Sequence, residues 1–153
     1  MISVEDNKPR VLTKFVLPQN TDHAGVLWHG EYLRWMEEAR IQALSEVGVR
    51  YADLVKLGFD LPVISLTINY KKSLKIGEKV LLQSWPCDFK GIRWPWITKF
   101  YREEKNLLLI AESKVELVLV EKKDKEFRII RNPPDQIKYA MEKLTKGIVD
   151  QRL

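Results

Sequence analysis

Cysteine and histidine are scarce in this sequence, and their scarcity excludes several kinds of site. A single cysteine, Cys87, cannot form an internal disulfide. Together with only two histidines it falls short of the ligands that a zinc ion requires. We therefore expect neither a metal site nor a redox role.

Long apolar runs are also missing. No stretch reaches the roughly 20 consecutive apolar residues that cross a bilayer. The N-terminal sequence MISVEDNKPR is too polar for a secretory signal. These two features predict a cytoplasmic protein without a membrane span.

A concentrated basic stripe is absent as well, although the net charge is +5. The lysines and arginines are scattered along the chain, whereas nucleic-acid-binding proteins usually concentrate them on one face. We therefore expect no nucleic acid as a partner. The positive charge still implies attraction for anions, and by itself it does not choose between a membrane surface and a phosphate-bearing small molecule.

The composition is typical of one globular domain, which we expect to comprise residues 1–153. Of these residues 45% are apolar and 31% are charged. From residue 29 to 47 there is no proline, apolar side chains recur at helical spacing, and Gly48 provides a stop. Before this predicted helix lies one β-prone segment, 11–17. After it come a shorter helical patch, five strand-like runs and a final helix, at 51–58, 61–70, 79–86, 94–104, 107–123, 126–130 and 135–144.

The order of these elements predicts an α+β protein in which one long helix lies across a single antiparallel sheet. Short polar connections at 104–106 and 123–125 favour antiparallel neighbours over crossovers. The ends of such a sheet stay open to pairing with a second copy, so we expect a homodimer or a dimer of dimers.

The stretch TDHAGVLWHGEYLRWMEEAR, residues 21–40, concentrates polar and aromatic side chains at the start of the long helix. The first N–H groups of a helix have no internal partner and can hold an oxyanion or a polarised carbonyl. Asp22, on a loop with Gly25, is a candidate nucleophile or general base. Asp22 could equally be a turn or capping residue, His29 a structural histidine, and Trp28 and Tyr32 ordinary core.

This stretch resembles the signature of the 4-hydroxybenzoyl-CoA thioesterase family. The resemblance implies a hotdog fold, with a sheet of about five strands wrapped around one central helix. It also implies that Asp22 is the catalytic carboxylate and that N–H groups near His29 and Gly30 bind the thioester oxygen. His23 stands where the 4-hydroxybenzoyl enzyme has proline, and His29 where it has tyrosine. The segment is most similar to the 1,4-dihydroxy-2-naphthoyl-CoA thioesterases of phylloquinone and menaquinone synthesis.

The remaining substrate contacts are expected from two regions. Coenzyme A carries phosphates, and the family resemblance assigns them to the basic turn FKGIRW, with Lys90, Gly91 and Arg93. A solvated hairpin is the alternative for this turn. Aromatic walls for the acyl group are sought in Trp28 and Tyr32, and in strand residues around Ser65 of a neighbouring subunit.

The resemblance implies an acyl-CoA substrate and no separate cofactor, because coenzyme A is part of that substrate. Two alternatives stay open, namely hydrolysis of short- or medium-chain aliphatic acyl-CoA and a non-catalytic module that binds acyl groups. A Ser-His-Asp hydrolase is a weak alternative, since the sequence has no G-x-S-x-G motif.

Overall fold

The computed structural model describes residues 11–149 of the chain. A 3₁₀ turn at Pro18–Asn20 follows the first strand and precedes the long helix. The strands are β1 Val11–Phe15, β2 Phe59–Asp60, β3 Val63–Tyr70, β4 Lys79–Pro86, β5 Arg93–Glu103, β6 Leu107–Val118, β7 Val120–Lys123 and β8 Glu126–Ile129. The helices are α1 His29–Glu46, α2 Tyr51–Lys56 and α3 Asp135–Val149.

Five strands form the main sheet in the order β1-β4-β5-β6-β3, and every neighbouring pair is antiparallel. Burial alternates along β4, as in a strand with one face against the core, since every second residue from Val80 to Pro86 is buried. The predicted antiparallel sheet of about five strands is therefore confirmed.

Helix α1 lies against one face of this sheet, as predicted. Its buried apolar side chains recur three or four residues apart, which places them on one stripe. They join sheet residues in a single cluster of buried side chains; from α1 these are Tyr32, Trp35, Met36, Ala39, Ala43 and Leu44. Gly48 follows the helix with a φ of 90°, the left-handed conformation that suits a glycine at a helix end.

A row of hydroxyl groups crosses the buried face of the sheet. Ser84, Thr98 and Ser113 are opposite one another on β4, β5 and β6, and all three are buried. The Ser84 and Thr98 hydroxyls are 2.9 Å apart, Trp96 Nε1 donates to Ser84 Oγ at 2.6 Å, and Ser113 Oγ donates to the Thr98 carbonyl at 3.1 Å. Because these groups bond one another, they can stay in an apolar core without water.

The run 107–123 was predicted as one strand, and this prediction is wrong. The main-sheet strand β6 ends at Val118, and β7 begins at Val120 in a second, three-stranded sheet of order β2-β7-β8. Four consecutive residues, 117 to 120, are buried. The alternation of buried and exposed residues therefore ends where the chain passes from one sheet to the other. The apolar sequence there contains no glycine or proline that would have indicated the break.

Helix α3 is longer than predicted, since it extends from Asp135 to Val149 and not only to 144. Its start is as predicted, with the Ile137 N–H donating to the carbonyl of Pro134 at 3.0 Å. The buried side chains of α3 follow helical spacing and pack into the main core; they are Ile137, Ala140, Met141 and Leu144. Within residues 11–149, no helix is long and apolar enough to cross a membrane.

Candidate active site

A tight loop between the 3₁₀ turn and α1 holds Asp22. The Asp22 N–H donates to the Val26 carbonyl at 2.9 Å, and the Gly25 N–H donates to the Asp22 carbonyl at 3.1 Å. Carboxylate oxygen Oδ1 accepts the Ala24 N–H at 2.9 Å. Gly25 has a φ of 77°, which a residue with a side chain rarely adopts. The loop thus fixes one carboxylate oxygen and leaves Oδ2 without a hydrogen bond among residues 11–149.

The two ends of this loop lie side by side, so the residue before Asp22 pairs with a residue just before α1. Thr21 pairs with Leu27 in an antiparallel bridge. The Trp28 N–H donates to the Asn20 carbonyl at 2.9 Å. The loop that carries Asp22 therefore closes beside the residues that begin α1, and the shared role of the two stays a prediction.

The start of α1 presents two N–H groups that are free to bind a ligand. The Glu31 N–H donates to the carbonyl of Trp28, the N-cap residue, at 2.9 Å. In the part of the chain that the structure describes, the N–H groups of His29 and Gly30 have no acceptor. Adjacent free donors at a helix N-terminus, where the helix dipole is positive, suit a carbonyl oxygen that gains negative charge.

Aromatic side chains lie on both sides of this entrance, but they differ in exposure. The Trp28 side chain is exposed, and its ring centroid lies 5.0 Å from that of His29, which is also exposed. Tyr32 is instead buried and makes edge contacts with the rings of Tyr70 and Phe100. Burial, with smaller contributions from Tyr70 and Glu78, raises the pKa of Tyr32 to about 12. Trp28 therefore faces the entrance, whereas Tyr32 belongs to the core.

The predicted coenzyme A turn is a tight hairpin turn. Lys90 and Arg93 exchange backbone hydrogen bonds of 3.0 and 3.1 Å, and Gly91 has a φ of 63°, as the first central residue of a type II′ turn requires. The Lys90 side chain is exposed, but the guanidinium of Arg93 pairs with Glu116. Hydrogen bonding to Arg93 lowers the pKa of Glu116. A phosphate of coenzyme A would therefore compete with the Glu116 carboxylate for the guanidinium of Arg93.

Ser65 lies with this turn and not with the helix entrance. It is opposite Glu116 in the pairing of β3 with β6, so both side chains are on the face of the sheet away from α1. Within one chain the predicted residues thus form two groups. Asp22, Trp28, His29 and Gly30 surround the start of α1, and Ser65, Lys90, Gly91 and Arg93 lie on or beside the outer face of the sheet.

The sequence interpretation missed a second polar region, a cavity of about 240 Å³ beside the C-terminal half of α1. The hydroxyl of Tyr51 donates to Asp60, whose Oδ1 also accepts the Leu61 N–H at 2.7 Å. Burial, and then the bond to Asp60, raises the pKa of Tyr51 to about 12. Burial lowers the pKa of the Arg40 guanidinium, an effect that Glu37 opposes. These residues come from separate elements, and no short motif could have indicated the cluster.

Comparison with known proteins places this geometry in context. The profile of the family described as the thioesterase-like superfamily matches residues 16–141. A Synechocystis protein named an esterase by inference, sll0410, is 43% identical over 81 residues, which are 53% of this chain and 49% of that protein. YneP of Bacillus subtilis, named an acyl-CoA thioesterase by inference, is 33% identical over 93 residues, 61% of this chain and 67% of YneP. The matched regions thus span about half to two thirds of these relatives.

The fold is also similar to solved structures. A DHNA-CoA thioesterase from Staphylococcus aureus superposes with a TM-score of 0.79 at 26% identity, covering 94% of each chain. The hotdog fold predicted from the sequence is thereby confirmed.

Proposed function

Because the chain belongs to the thioesterase-like superfamily, we propose that it hydrolyses the thioester bond of an acyl-coenzyme A, giving a free acid and coenzyme A. The observation that carries this proposal is the pair of N–H groups at His29 and Gly30, which have no acceptor within residues 11–149 and follow the loop that holds Asp22. These donors suit the thioester oxygen, whose negative charge grows as the carbonyl is attacked.

Asp22 is the reactive group in this proposal. Its Oδ1 is held by the Ala24 N–H, which orients the carboxylate, and its Oδ2 is left for the reaction. Oδ2 either attacks the thioester carbon, which expels coenzyme A as its thiolate and leaves a mixed anhydride that water hydrolyses, or it removes a proton from a water molecule that attacks this carbon and expels coenzyme A. We assign His29 a contact with the substrate or with that water, because its side chain is exposed at the start of α1.

The acyl group in our proposal is aromatic, and 1,4-dihydroxy-2-naphthoyl is the first candidate. Two findings support it, namely the exposed indole of Trp28 at the helix entrance and the similarity to a DHNA-CoA thioesterase. This substrate would place the protein in phylloquinone or menaquinone synthesis, in the cytoplasm. Short- and medium-chain aliphatic esters are the alternative, which the broader name of YneP leaves open.

The coenzyme A portion is assigned to the turn at Lys90, Gly91 and Arg93, and no separate cofactor is proposed. Lys90 offers an exposed ammonium for a phosphate. Since Ser65 and Arg93 lie away from the α1 entrance of their own chain, a second copy is proposed to complete the site. The edge strand β3 is a suitable contact, because it exposes several large apolar side chains, namely Val63, Ile64, Leu66 and Tyr70.

A substrate panel tests the proposed function. We expect release of free coenzyme A, measured with a thiol reagent, to be fastest from 1,4-dihydroxy-2-naphthoyl-CoA, slower from benzoyl-CoA and slowest from hexanoyl-CoA. A preference for hexanoyl-CoA would overturn the aromatic assignment. Tight binding of the esters without release of coenzyme A would favour a non-catalytic binding module. Measurement of the molar mass in solution tests the homodimer or homotetramer.

A further inference from the structure

The indole ring of Trp28 lies directly on the backbone of Gly30. A Cβ atom built on Gly30 would be 2.7 Å from Cε3 of this ring and closer still to Cζ3 and Cη2. Real Cβ atoms essentially never approach another atom so closely. The ring therefore occupies the space of the missing side chain, and any larger residue at position 30 would displace it.

The backbone at Gly30 does not itself require glycine. Gly30 is the second residue of α1, whereas Gly25 and Gly48 have the positive φ that favours glycine. Within a helix, glycine is less stabilising than alanine. Position 30 therefore requires glycine because of the contact with the Trp28 ring, and not because of its backbone conformation.

The ring also borders the groups that we assign to catalysis. Trp28 is the N-cap of α1, and its carbonyl accepts the Glu31 N–H, so the residues between them present the free N–H groups. With part of the indole against Gly30, Trp28 is still 42% exposed. The exposed part of a flat aromatic ring beside the thioester site is suited to contact with a planar acyl group.

We propose that Gly30 is a positioning residue that holds the Trp28 indole across the first turn of α1, where the ring forms the wall that favours planar aromatic acyl groups over aliphatic ones. The proposal rests on the proposed function, since it assigns the acyl preference of that same site. It gives Gly30 a role separate from that of its N–H group, because alanine would keep the N–H and remove only the space.

A double-mutant cycle tests this role, with Gly30→Ala, Trp28→Ala and the combined variant. In Gly30→Ala we expect the KM for benzoyl-CoA to rise by about tenfold, the size of a lost aromatic contact. The KM for hexanoyl-CoA should rise by a smaller factor, so that the preference for benzoyl-CoA over hexanoyl-CoA falls, and the melting temperature should stay the same or rise, because alanine favours the helix. In the Trp28→Ala background, Gly30→Ala should have no further effect. An equal effect with and without Trp28, or a Gly30→Ala protein that behaves as wild type, would overturn the proposal.

Binding separates this proposal from the proposed function. In an Asp22→Asn background, the Kd of benzoyl-CoA is measured by calorimetry with and without Gly30→Ala. We expect weaker binding by about tenfold when alanine is present. An unchanged Kd, or no binding in either protein, would overturn the role of Gly30 whether or not the wild type hydrolyses the ester. A wild type that binds but does not hydrolyse would overturn only the catalytic proposal.

Discussion

The two ends of helix α1 both carry polar side chains, but they use them differently. At the N-terminal end, one oxygen of Asp22 and two backbone N–H groups have no partner among the residues that the structure describes. Beside the C-terminal half, Tyr51 donates to Asp60, and Asp60 also accepts the Leu61 N–H. Both aspartates thus use only Oδ1, and what distinguishes the first end is the pair of helix N–H groups without an acceptor among residues 11–149.

This difference teaches how to choose between candidate sites in one fold. A raised tyrosine pKa and a cavity are common signs of function, and both occur beside Tyr51. Burial and a structural hydrogen bond explain that pKa without a substrate. The N-terminal end combines a carboxylate oxygen with two adjacent helix N–H groups, none of which is bonded within residues 11–149, so we propose catalysis there.

The largest effect is expected when the carboxylates at the two ends of α1 are replaced one at a time, because only one of them should affect turnover. Asp22→Asn should lower kcat by about 10² to 10⁴-fold, the range for loss of a general base, with little change in KM. Asp60→Asn should keep kcat and lower stability, since it alters a bonded group. Steady-state kinetics and thermal unfolding of both variants measure this. Loss of turnover in the Asp60 variant at an unchanged melting temperature would assign catalysis to the cavity.

A smaller effect is expected from the hydroxyl of Tyr51. Tyr51→Phe removes the donor to Asp60 and should lower the free energy of unfolding by about 1 to 3 kcal/mol, with kcat unchanged. Tyr139→Phe is the matched control, because Tyr139 is exposed on α3, and it should change stability by less than about 0.5 kcal/mol. Urea unfolding of the two variants gives the comparison. Equal stability would mean that the Tyr51 bond contributes nothing.

The glycines before and after α1 allow the two ends of the helix to be compared by backbone substitutions. Gly25 and Gly48 have φ values of 77° and 90°, and an added Cβ would meet no atom within 4 Å at either position. Alanine should therefore cost about 1 kcal/mol at both, from conformational strain alone. Only Gly25→Ala should also lower kcat, by about tenfold, because it shifts the Asp22 loop. An equal loss of kcat in both variants would show that the effect is general destabilisation.

The buried tyrosines also predict a dependence of stability on alkaline pH. Tyr51 and Tyr32 have pKa values raised to about 12 in the folded chain, against 10.0 for an ordinary tyrosine. The unfolded chain loses these protons first, so the free energy of unfolding should be level below pH 10 and fall from pH 10 to 12. Tyr51→Phe should make this fall shallower without abolishing it, because Tyr32 remains. Urea titrations at pH 8 to 11 measure the slope, and identical slopes in both proteins would contradict the assignment.

Local patterns were enough to predict the main elements. The stripe of α1, its stop at Gly48 and the alternation of β4 each depend on residues close in sequence. The pairing of the two ends of the Asp22 loop likewise depends on residues close in sequence, since Thr21 and Leu27 are six residues apart.

Features that depend on distant pairing could not be predicted. The ion pair of Arg93 with Glu116 requires the register of β5 and β6. The cavity requires Arg40, Tyr51 and Asp60 to meet from separate elements. The ring of Trp28 over Gly30 depends on a side-chain conformation, for which a sequence carries no direct signal.

The row of hydroxyls across the sheet has a consequence for how the strands find their alignment. If β5 slipped by one residue, Ile97 or Lys99 would replace Thr98 between Ser84 and Ser113, and every side chain of the strand would change faces. The Trp96 indole would then leave the interior, and the hydroxyls of Ser84 and Ser113 would lose the groups that they bond there. A misaligned sheet is thus penalised at its centre, and the correct alignment is selected before any substrate is bound.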